Sequence, residues 1–111
     1  MENDTLELAP ETAAMLRAAA EASDFLKRLS HPSRLAIVCA LVEGERSVRE
    51  LEDSLGLRQP ALSQQLAELR EAGMIEGRKE SKSVYYRLAD GRAATLVACL
   101  HQLFCPTDQD K

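Results

Sequence analysis

The stretch that decides the fold is residues 47–73, which read SVRELEDSLGLRQPALSQQLAELREAG. Ser47 and Glu50 have the spacing of a capping box, in which the two side chains satisfy free amides at the start of a helix. Gly56 predicts a sharp turn, and Pro60 predicts the start of a second helix, which ends before Gly73. Two short helices joined by a turn that contains glycine are typical of a helix-turn-helix unit.

Two further helices are predicted before this unit. The first runs from Pro10 to about Leu29, with apolar residues at every third or fourth position. The second opens at Pro32 or Ser33 and stops at Gly44. Its apolar residues occupy two sides of the helix, so we expect it to be deeply buried.

A hairpin and a last helix are predicted after this unit. Val84, Tyr86 and Leu88 alternate along an apolar and aromatic run, which indicates the second strand of a two-stranded hairpin with a polar, basic tip. Asp90 is expected to cap a last helix with an apolar face, and that helix ends near Cys105.

The predicted order of elements is mainly α with a small β-hairpin, a winged helix-turn-helix with added N- and C-terminal helices. We expect one domain at residues 11–105, a flexible acidic tail at 1–10 and a short tail at 106–111. The strongly apolar terminal helices are expected to pack against a second copy of the chain. A homodimer would also match the twofold symmetry of an operator.

Length and composition limit the possible functions. The chain has 111 residues, 45% of them apolar and 29% charged, which suits one packed domain. It is too short for a dinucleotide-binding dehydrogenase, a TIM barrel or a kinase, so we expect neither an enzyme nor a bound cofactor. No apolar run is long enough to cross a bilayer, and the acidic N-terminus does not resemble a signal peptide. We therefore expect a cytoplasmic protein with no membrane partner.

Charge is distributed unevenly along the chain. The net charge of −4 argues against a nucleic-acid ligand, but residues 58–92 hold seven basic and five acidic side chains, a local charge of +2. Six acids lie within the first 24 residues. A protein that is acidic overall can still present a basic face, although an ordinary mixed surface would give the same count.

The second helix of the helix-turn-helix unit is the predicted recognition element. When Leu62 and Leu66 face the core, Gln64 points outward, and glutamine can bond adenine through two hydrogen bonds. Basic residues of the hairpin are expected to contact phosphates or the minor groove. The residues expected to contact double-stranded operator DNA are Arg58, Gln59, Ala61, Ser63, Gln64 and Gln65 in the helix region, and Arg78, Lys79 and Lys82 in the hairpin.

Five segments resemble the ArsR family of dimeric winged-helix repressors. They are residues 29–35 (LSHPSRL), 47–51 (SVREL), 59–66 (QPALSQQL), 69–73 (LREAG) and 84–88 (VYYRL). The resemblance covers about residues 12–105 and is specific in this combination. It implies a repressor that leaves its operator when an effector binds.

Many members of that family sense metals, so their ligand positions can be compared with this sequence. Members that sense arsenic or cadmium hold a cysteine pair in the first helix of the helix-turn-helix, where this chain has neither Cys nor His. Members that sense zinc use Asp and His near the start of the last helix. Asp90 matches, but Arg92 replaces the histidine, and Leu103 and Pro106 occupy the distal ligand positions. His31 is expected to cap or pack at a helix junction.

The three cysteines leave several roles open when they are considered alone. Cys39 lies in the second helix, Cys99 and Cys105 lie in the last helix, and no C-x-x-C occurs. Scattered cysteines of a cytosolic protein are usually buried apolar residues or redox groups. A zinc site made by Cys39, His101 and Cys105 is one alternative. A thiol redox enzyme is an alternative of another class, although Cys105 lies at a helix C-terminus, where the dipole opposes a thiolate.

The positions of two cysteines resemble the persulfide-sensing subgroup of the ArsR family, the BigR and SqrR type. The resemblance implies that Cys39 and Cys105 are the sensing pair. It implies that reactive sulfur species link the two thiols, directly or through additional sulfurs, and that the repressor then releases DNA. Genes for sulfide handling are the implied targets. Cys99 has no counterpart in the pattern and is expected to pack or to lie at the dimer face.

Overall fold

The structure is a computed structural model that describes residues 9–105. The tail predicted at residues 106–111 lies outside the described residues, as do the first eight residues of the tail predicted at 1–10. The elements are α1 (Pro10–Arg28), α2 (Pro32–Leu41), β1 (Arg46–Ser47), α3 (Val48–Leu55), α4 (Gln59–Glu71), β2 (Ile75–Glu80), β3 (Ser83–Leu88) and α5 (Gly91–Phe104). This order confirms the predicted winged helix-turn-helix with a further helix at each end.

The local signals in the sequence set the ends of the helices. Ser47 Oγ accepts a hydrogen bond from the Glu50 amide at 3.0 Å, and Glu50 Oε1 accepts one from the Ser47 amide at 2.8 Å, so the predicted capping box is present. Gly56 ends α3 with a φ of 67°, a conformation that costs glycine little. His31 caps α2, since its Nδ1 accepts a hydrogen bond from the Ser33 amide at 3.0 Å.

The sheet has three strands, in the order β1-β3-β2, and both pairings are antiparallel. The prediction of a two-stranded hairpin was therefore incomplete. The missing strand, β1, is only two residues long, and its Arg46 and Ser47 pair with Tyr86 and Tyr85. This short strand ties the base of the hairpin to the start of α3.

The core lies between the helix-turn-helix, the inner faces of α2 and α5, and the sheet. The cluster of buried apolar residues comprises Phe25, Leu29, Ile37, Val38, Leu41, Leu51, Leu62, Leu66, Leu69, Met74, Ile75, Tyr86, Ala93 and Val97. Burying each large side chain of this kind contributes about 1.5–3 kcal/mol relative to leaving it exposed. The core thus fixes α4 relative to α3 and to the hairpin.

The expectation that α2 is buried on both sides was wrong. Ile37, Val38 and Leu41 are buried, whereas Cys39 is exposed and Val42 retains 41% of its accessible surface. In the single chain, α2 packs against α3, α4, α5 and β3, and these contacts leave the Cys39 side of the helix uncovered. Cys39 and Val42 therefore lie on the surface of the single chain.

Large apolar side chains remain exposed on the two terminal helices. Phe25 is the only buried residue of α1. The exposed ones on these helices are Met15, Leu16 and Leu26 in α1 and Leu103 and Phe104 in α5. Among residues 9–105, no helix is both long and apolar enough to cross a membrane.

Candidate functional site

The outward face of α4 is the first part of the site. Leu62, Leu66 and Leu69 are buried, as the sequence predicted, and they hold the helix against the core. Of the predicted contact residues, Ala61, Ser63 and Gln64 are exposed and Gln65 is half-buried. Arg58 is exposed at the N-cap position of the helix. All of these side chains lie in or next to the N-terminal half of α4, and none of them is fully buried.

Gln59 connects the two helices of the helix-turn-helix at this surface. Its Nε2 donates a hydrogen bond to Glu52 of α3 at 3.0 Å, and its Oε1 accepts one from Ser63 at 2.5 Å. Gln59 also lines a groove of about 510 Å³ together with Lys82 of the hairpin and Arg49 of α3. The helix-turn-helix and the hairpin tip thus share one continuous surface.

A second polar cluster at α4 could not be found from the sequence. Arg34 of α2 donates to Gln65 Oε1 from its Nε at 2.8 Å and forms an ion pair with Glu68 through its Nη2. Its Nη1 donates to the carbonyl oxygen of Arg28 at 3.2 Å. Glu68 in turn accepts a hydrogen bond from Gln64 Nε2 at 3.3 Å. Arg34 lies more than 30 positions from Gln65 and Glu68, so no local periodicity indicated these contacts.

The three predicted basic residues of the hairpin differ in whether carboxylates hold their side chains. Lys79 and Lys82 are exposed. Arg78, by contrast, donates to both carboxylate oxygens of Glu45 at 2.8 Å, pairs with Glu80 at 2.5 Å and lies over the ring of Tyr85. The hydrogen bond from Arg78 lowers the pKa of Glu45, and the carboxylates raise the pKa of Arg78. To contact a phosphate, Arg78 would have to break some of its hydrogen bonds to Glu45 and Glu80, or form the new contact beside them.

The cysteines form the second part of the site. Cys39 of α2 and Cys105, at the end of α5, line the same apolar cavity of about 340 Å³, together with Leu35, Leu100 and Phe104. Cys39 and Cys99 line a neighbouring cavity of about 560 Å³. His101 borders both cavities. All three thiols are free and exposed.

The metal alternative gains no support from the described side chains. Within residues 9–105, no group of three or more His, Cys, Asp or Glu side chains is placed to hold a metal ion. Asp90, which matches a zinc-ligand position, instead accepts hydrogen bonds from Arg92, at 2.9 Å from its amide and at 2.8 Å from its Nη2. These hydrogen bonds lower the pKa of Asp90, and the bond from the Arg92 side chain has the larger effect.

Comparison with known proteins places this architecture in a family. The model of the bacterial regulatory protein arsR family matches residues 31–76. The biofilm growth-associated repressor of Xylella fastidiosa is 50% identical over 95 residues, which cover 86% of this chain and 83% of that protein. This chain belongs to the ArsR family. Its general function is accordingly transcriptional repression of the ArsR and BigR type.

Solved structures of other regulators share the fold of this ArsR-family chain. The transcriptional repressor BigR from Xylella fastidiosa superposes with a TM-score of 0.81 at 50% identity, over 86% of this chain and 98% of that one. Reduced HlyU from Vibrio cholerae gives 0.76 at 40% identity, over 84% and 98%. A homodimeric winged helix-turn-helix DNA-binding domain from Mycobacterium bovis gives 0.63 at 29% identity, over 93% and 89%.

Proposed function

We propose that this ArsR-family chain is a homodimeric, dithiol-switched repressor of the cytoplasm. It binds double-stranded operator DNA when Cys39 and Cys105 are reduced, and it releases the DNA when reactive sulfur species link them. Genes for sulfide handling are its proposed targets. The observation that carries this proposal is that Cys39 and Cys105, which are 66 positions apart in the sequence, line the same cavity.

The DNA surface of the proposal is the exposed face of α4 with the hairpin. Gln64 is the proposed reader of base edges in the major groove, because its amide can donate and accept at adenine. Arg58, Gln59, Ala61, Ser63 and Gln65 surround it, and Lys79 and Lys82 are proposed phosphate contacts. Arg78 joins them once DNA phosphates compete with Glu45 for its guanidinium.

The homodimer of the proposal forms through α1 and α5. Both helices expose large apolar side chains, and Leu103 and Phe104 are 70% and 78% exposed. Such patches on a soluble domain mark interaction surfaces. The relative from Mycobacterium bovis is homodimeric, which supports the same arrangement here. Twofold symmetry would present two α4 helices to half-sites about one DNA turn apart.

The sulfur chemistry of the proposal is balanced with a persulfide, RSSH, as the only oxidant. The thiolate of Cys39 attacks the outer sulfur of RSSH, so that Cys39 becomes a persulfide and RS⁻ leaves. Cys105 reacts in the same way with a second RSSH. The Cys105 persulfide anion then attacks the inner sulfur of Cys39 and expels HS⁻. The product is a trisulfide between Cys39 and Cys105, and the two electrons removed from the thiols reduce one sulfane sulfur to sulfide.

The cavity gives this chemistry a means of selecting the oxidant. A direct disulfide requires Cα atoms within about 7 Å of each other. Peroxide supplies no sulfur atom and can give only that direct bond, through a sulfenic acid. An inserted sulfur atom spans a wider gap than a direct disulfide, and the apolar lining of the cavity shared by Cys39 and Cys105 suits an uncharged sulfur chain. We therefore expect persulfide to be the better effector.

The link acts on DNA binding through α2 and α5. Cys39 lies on α2, which packs against α3 and α4, and Cys105 follows α5, which belongs to the proposed dimer face. A covalent bond between these helices changes the position or the flexibility of one relative to the other. Because both half-sites must be engaged together, a small change in the spacing of the α4 helices costs several contacts at once.

The test of this proposal combines mass spectrometry of the intact protein with DNA binding. After persulfide treatment, we expect an intramolecular Cys39–Cys105 product that is one sulfur atom heavier than a disulfide, together with loss of operator binding. Cys39→Ser and Cys105→Ser should stay bound to DNA under the same treatment. Cys99→Ser is the matched control, because it removes a thiol next to Cys39 and should respond like the wild type. If Cys39→Ser protein still releases DNA, the proposed pair is wrong. If the wild type forms a Cys39–Cys99 product instead, the partner thiol has been misassigned.

A further inference from the structure

The polar cluster of Arg34, Glu68, Gln64 and Gln65 has a consequence for sequence recognition. A carboxylate only accepts hydrogen bonds, so the amide group that faces Glu68 must be the NH₂ of Gln64. A guanidinium only donates, so the group of Gln65 that faces Arg34 must be its oxygen. The two charged residues therefore fix the orientation of both amides, which on an unconstrained glutamine could turn over freely.

The fixed orientation of Gln64 suits one base. Its Nε2 gives one hydrogen to Glu68, which leaves the second hydrogen and the carbonyl oxygen available to DNA. A donor and an acceptor side by side match the N7 acceptor and the N6 amino group of adenine in the major groove. The oxygen of Gln65 faces Arg34, so its NH₂ points away from Arg34 and can donate to an acceptor.

The charges of the pair also serve DNA binding. Glu68 would repel phosphates if it stood alone on α4, but Arg34 neutralises it through a contact that is only partly exposed, at 23% for the Arg34 side chain and 39% for Glu68. Arg34 is held in turn by the carbonyl oxygen of Arg28 at the end of α1. The Glu68 carboxylate can thus accept the hydrogen bond from Gln64 while it repels DNA phosphates only weakly.

We infer that Arg34 and Glu68 are positioning residues that set the base preference of this repressor by orienting Gln64 and Gln65. They do so without contacting a base. The inference rests on the proposed function, because it requires that α4 reads DNA.

The test begins with selection of bound sequences from a pool of random duplex DNA by the reduced wild-type protein. The affinity of each variant is then measured for the selected duplex and for a scrambled one. Glu68→Gln should lower the ratio of the two affinities about tenfold, and the adenine preference at one position should weaken. Because a negative charge is removed, affinity for the scrambled duplex should not fall. Glu71→Gln is the matched control, since it removes the same charge from the same helix and should leave the ratio unchanged.

Two further variants distinguish an effect on the orientation of the glutamine side chains from an effect of net charge or of misfolding. Arg34→Lys keeps the positive charge but replaces the rigid guanidinium fork with a single nitrogen on a flexible stem. Lysine therefore does not hold Gln65 and Glu68 in the same geometry, and the ratio should also fall. In a Gln64→Ala background, Glu68→Gln should cause no further loss at the adenine position. An unchanged ratio for Glu68→Gln and for Arg34→Lys, in proteins with wild-type thermal stability, would overturn the inference. Failure of the wild type to select any sequence would instead overturn the proposed function.

Discussion

At the scale of single residues, the ion pairs of Arg78 lead to a prediction about affinity for DNA. Its guanidinium is the predicted phosphate contact of the hairpin, yet in this structure it is held on both sides by Glu45 and Glu80. Salt bridges at exposed sites contribute little, because solvent and salt screen them. DNA phosphates can therefore compete with Glu45 for the Arg78 guanidinium. The strength of the Arg78–Glu45 pair should then affect the affinity for DNA.

Glu45→Gln should raise the affinity of the reduced protein for duplex DNA of any sequence. A neutral amide holds Arg78 less strongly than a carboxylate, so we expect a gain of about two- to fivefold and a steeper dependence on salt, by about one phosphate contact. Binding isotherms at several salt concentrations measure both. Glu43→Gln removes the same charge two positions away while Arg78 stays paired, and it should change affinity less. Equal effects of the two variants would show that Arg78 does not reach the DNA.

The residue scale is also where sequence reasoning was least complete. The outward side of α4 followed from helical periodicity, because Leu62, Leu66 and Leu69 form a regular stripe. The pairing of Arg34 with Glu68 and the exposure of Cys39 did not follow, since both depend on how α2 lies against the rest of the chain. Local patterns carry no information about such long-range placement.

At the scale of elements, the first residues of the helices were well predicted where a physical signal stood there, whereas α2 ends at Leu41 and not at the predicted Gly44. Proline in the first turn begins α1, α2 and α4, and the capping box begins α3. The strand β1 was missed because Arg46 and Ser47 are too few to show an alternation, and because Ser47 serves both as a strand residue and as a helix cap. Its pairing is decided by Tyr85 and Tyr86, far along the chain.

The hairpin tip contains a strained residue whose replacement should stabilise the protein. Ser81 has a φ of 57°, a left-handed conformation that costs a non-glycine residue about 1–2 kcal/mol. Ser81→Gly should therefore raise the free energy of unfolding, by up to about 1 kcal/mol after the greater chain entropy of glycine is included. Thermal unfolding measures the change. Ser83→Gly, in the neighbouring strand at negative φ, should lower the stability, and a lower melting temperature for Ser81→Gly would contradict the prediction.

The cap of α5 should make stability depend on pH in the acid range. The pKa of Asp90 in the folded protein is lowered, chiefly by the hydrogen bonds from the Arg92 side chain, so the charged carboxylate is the stabilised form. Its contribution is complete above the pKa of the unfolded chain and is lost as the pH falls through the lower folded pKa. Asp90→Asn should thus melt at a lower temperature than the wild type near neutral pH.

The difference between Asp90→Asn and the wild type should shrink between about pH 5 and pH 2, as the wild-type carboxylate takes up its proton. Thermal unfolding of both proteins across this range gives the comparison. A difference in melting temperature that stays constant down to the acid end would mean that the ion pair with Arg92 does not stabilise the folded state.

At the scale of the whole molecule, the described part of the chain is more elongated than a compact domain of its size. The described part measures 58 × 39 × 21 Å with a radius of gyration of 17.9 Å, whereas a compact domain of about 100 residues has a radius of about 13 Å. The longest helix, α1, has 19 residues and buries only Phe25. The exposed apolar side chains of this helix are part of the interface that we propose for the homodimer.

The dimer prediction is tested with substitutions on α1 and α5, outside the proposed DNA surface. Met15 and Leu103 are 62% and 70% exposed, and neither lines the cavities next to Cys39. The combined substitutions Met15→Asp and Leu103→Asp place charges in the proposed interface, where burial without a partner is costly. Sedimentation velocity should show a monomer, and operator affinity should fall at least about a hundredfold, because the two half-sites no longer bind as one linked unit. Met15→Leu with Leu103→Met keeps the face apolar and should remain dimeric with wild-type affinity. A doubly charged variant that stays dimeric would place the interface elsewhere on the molecule.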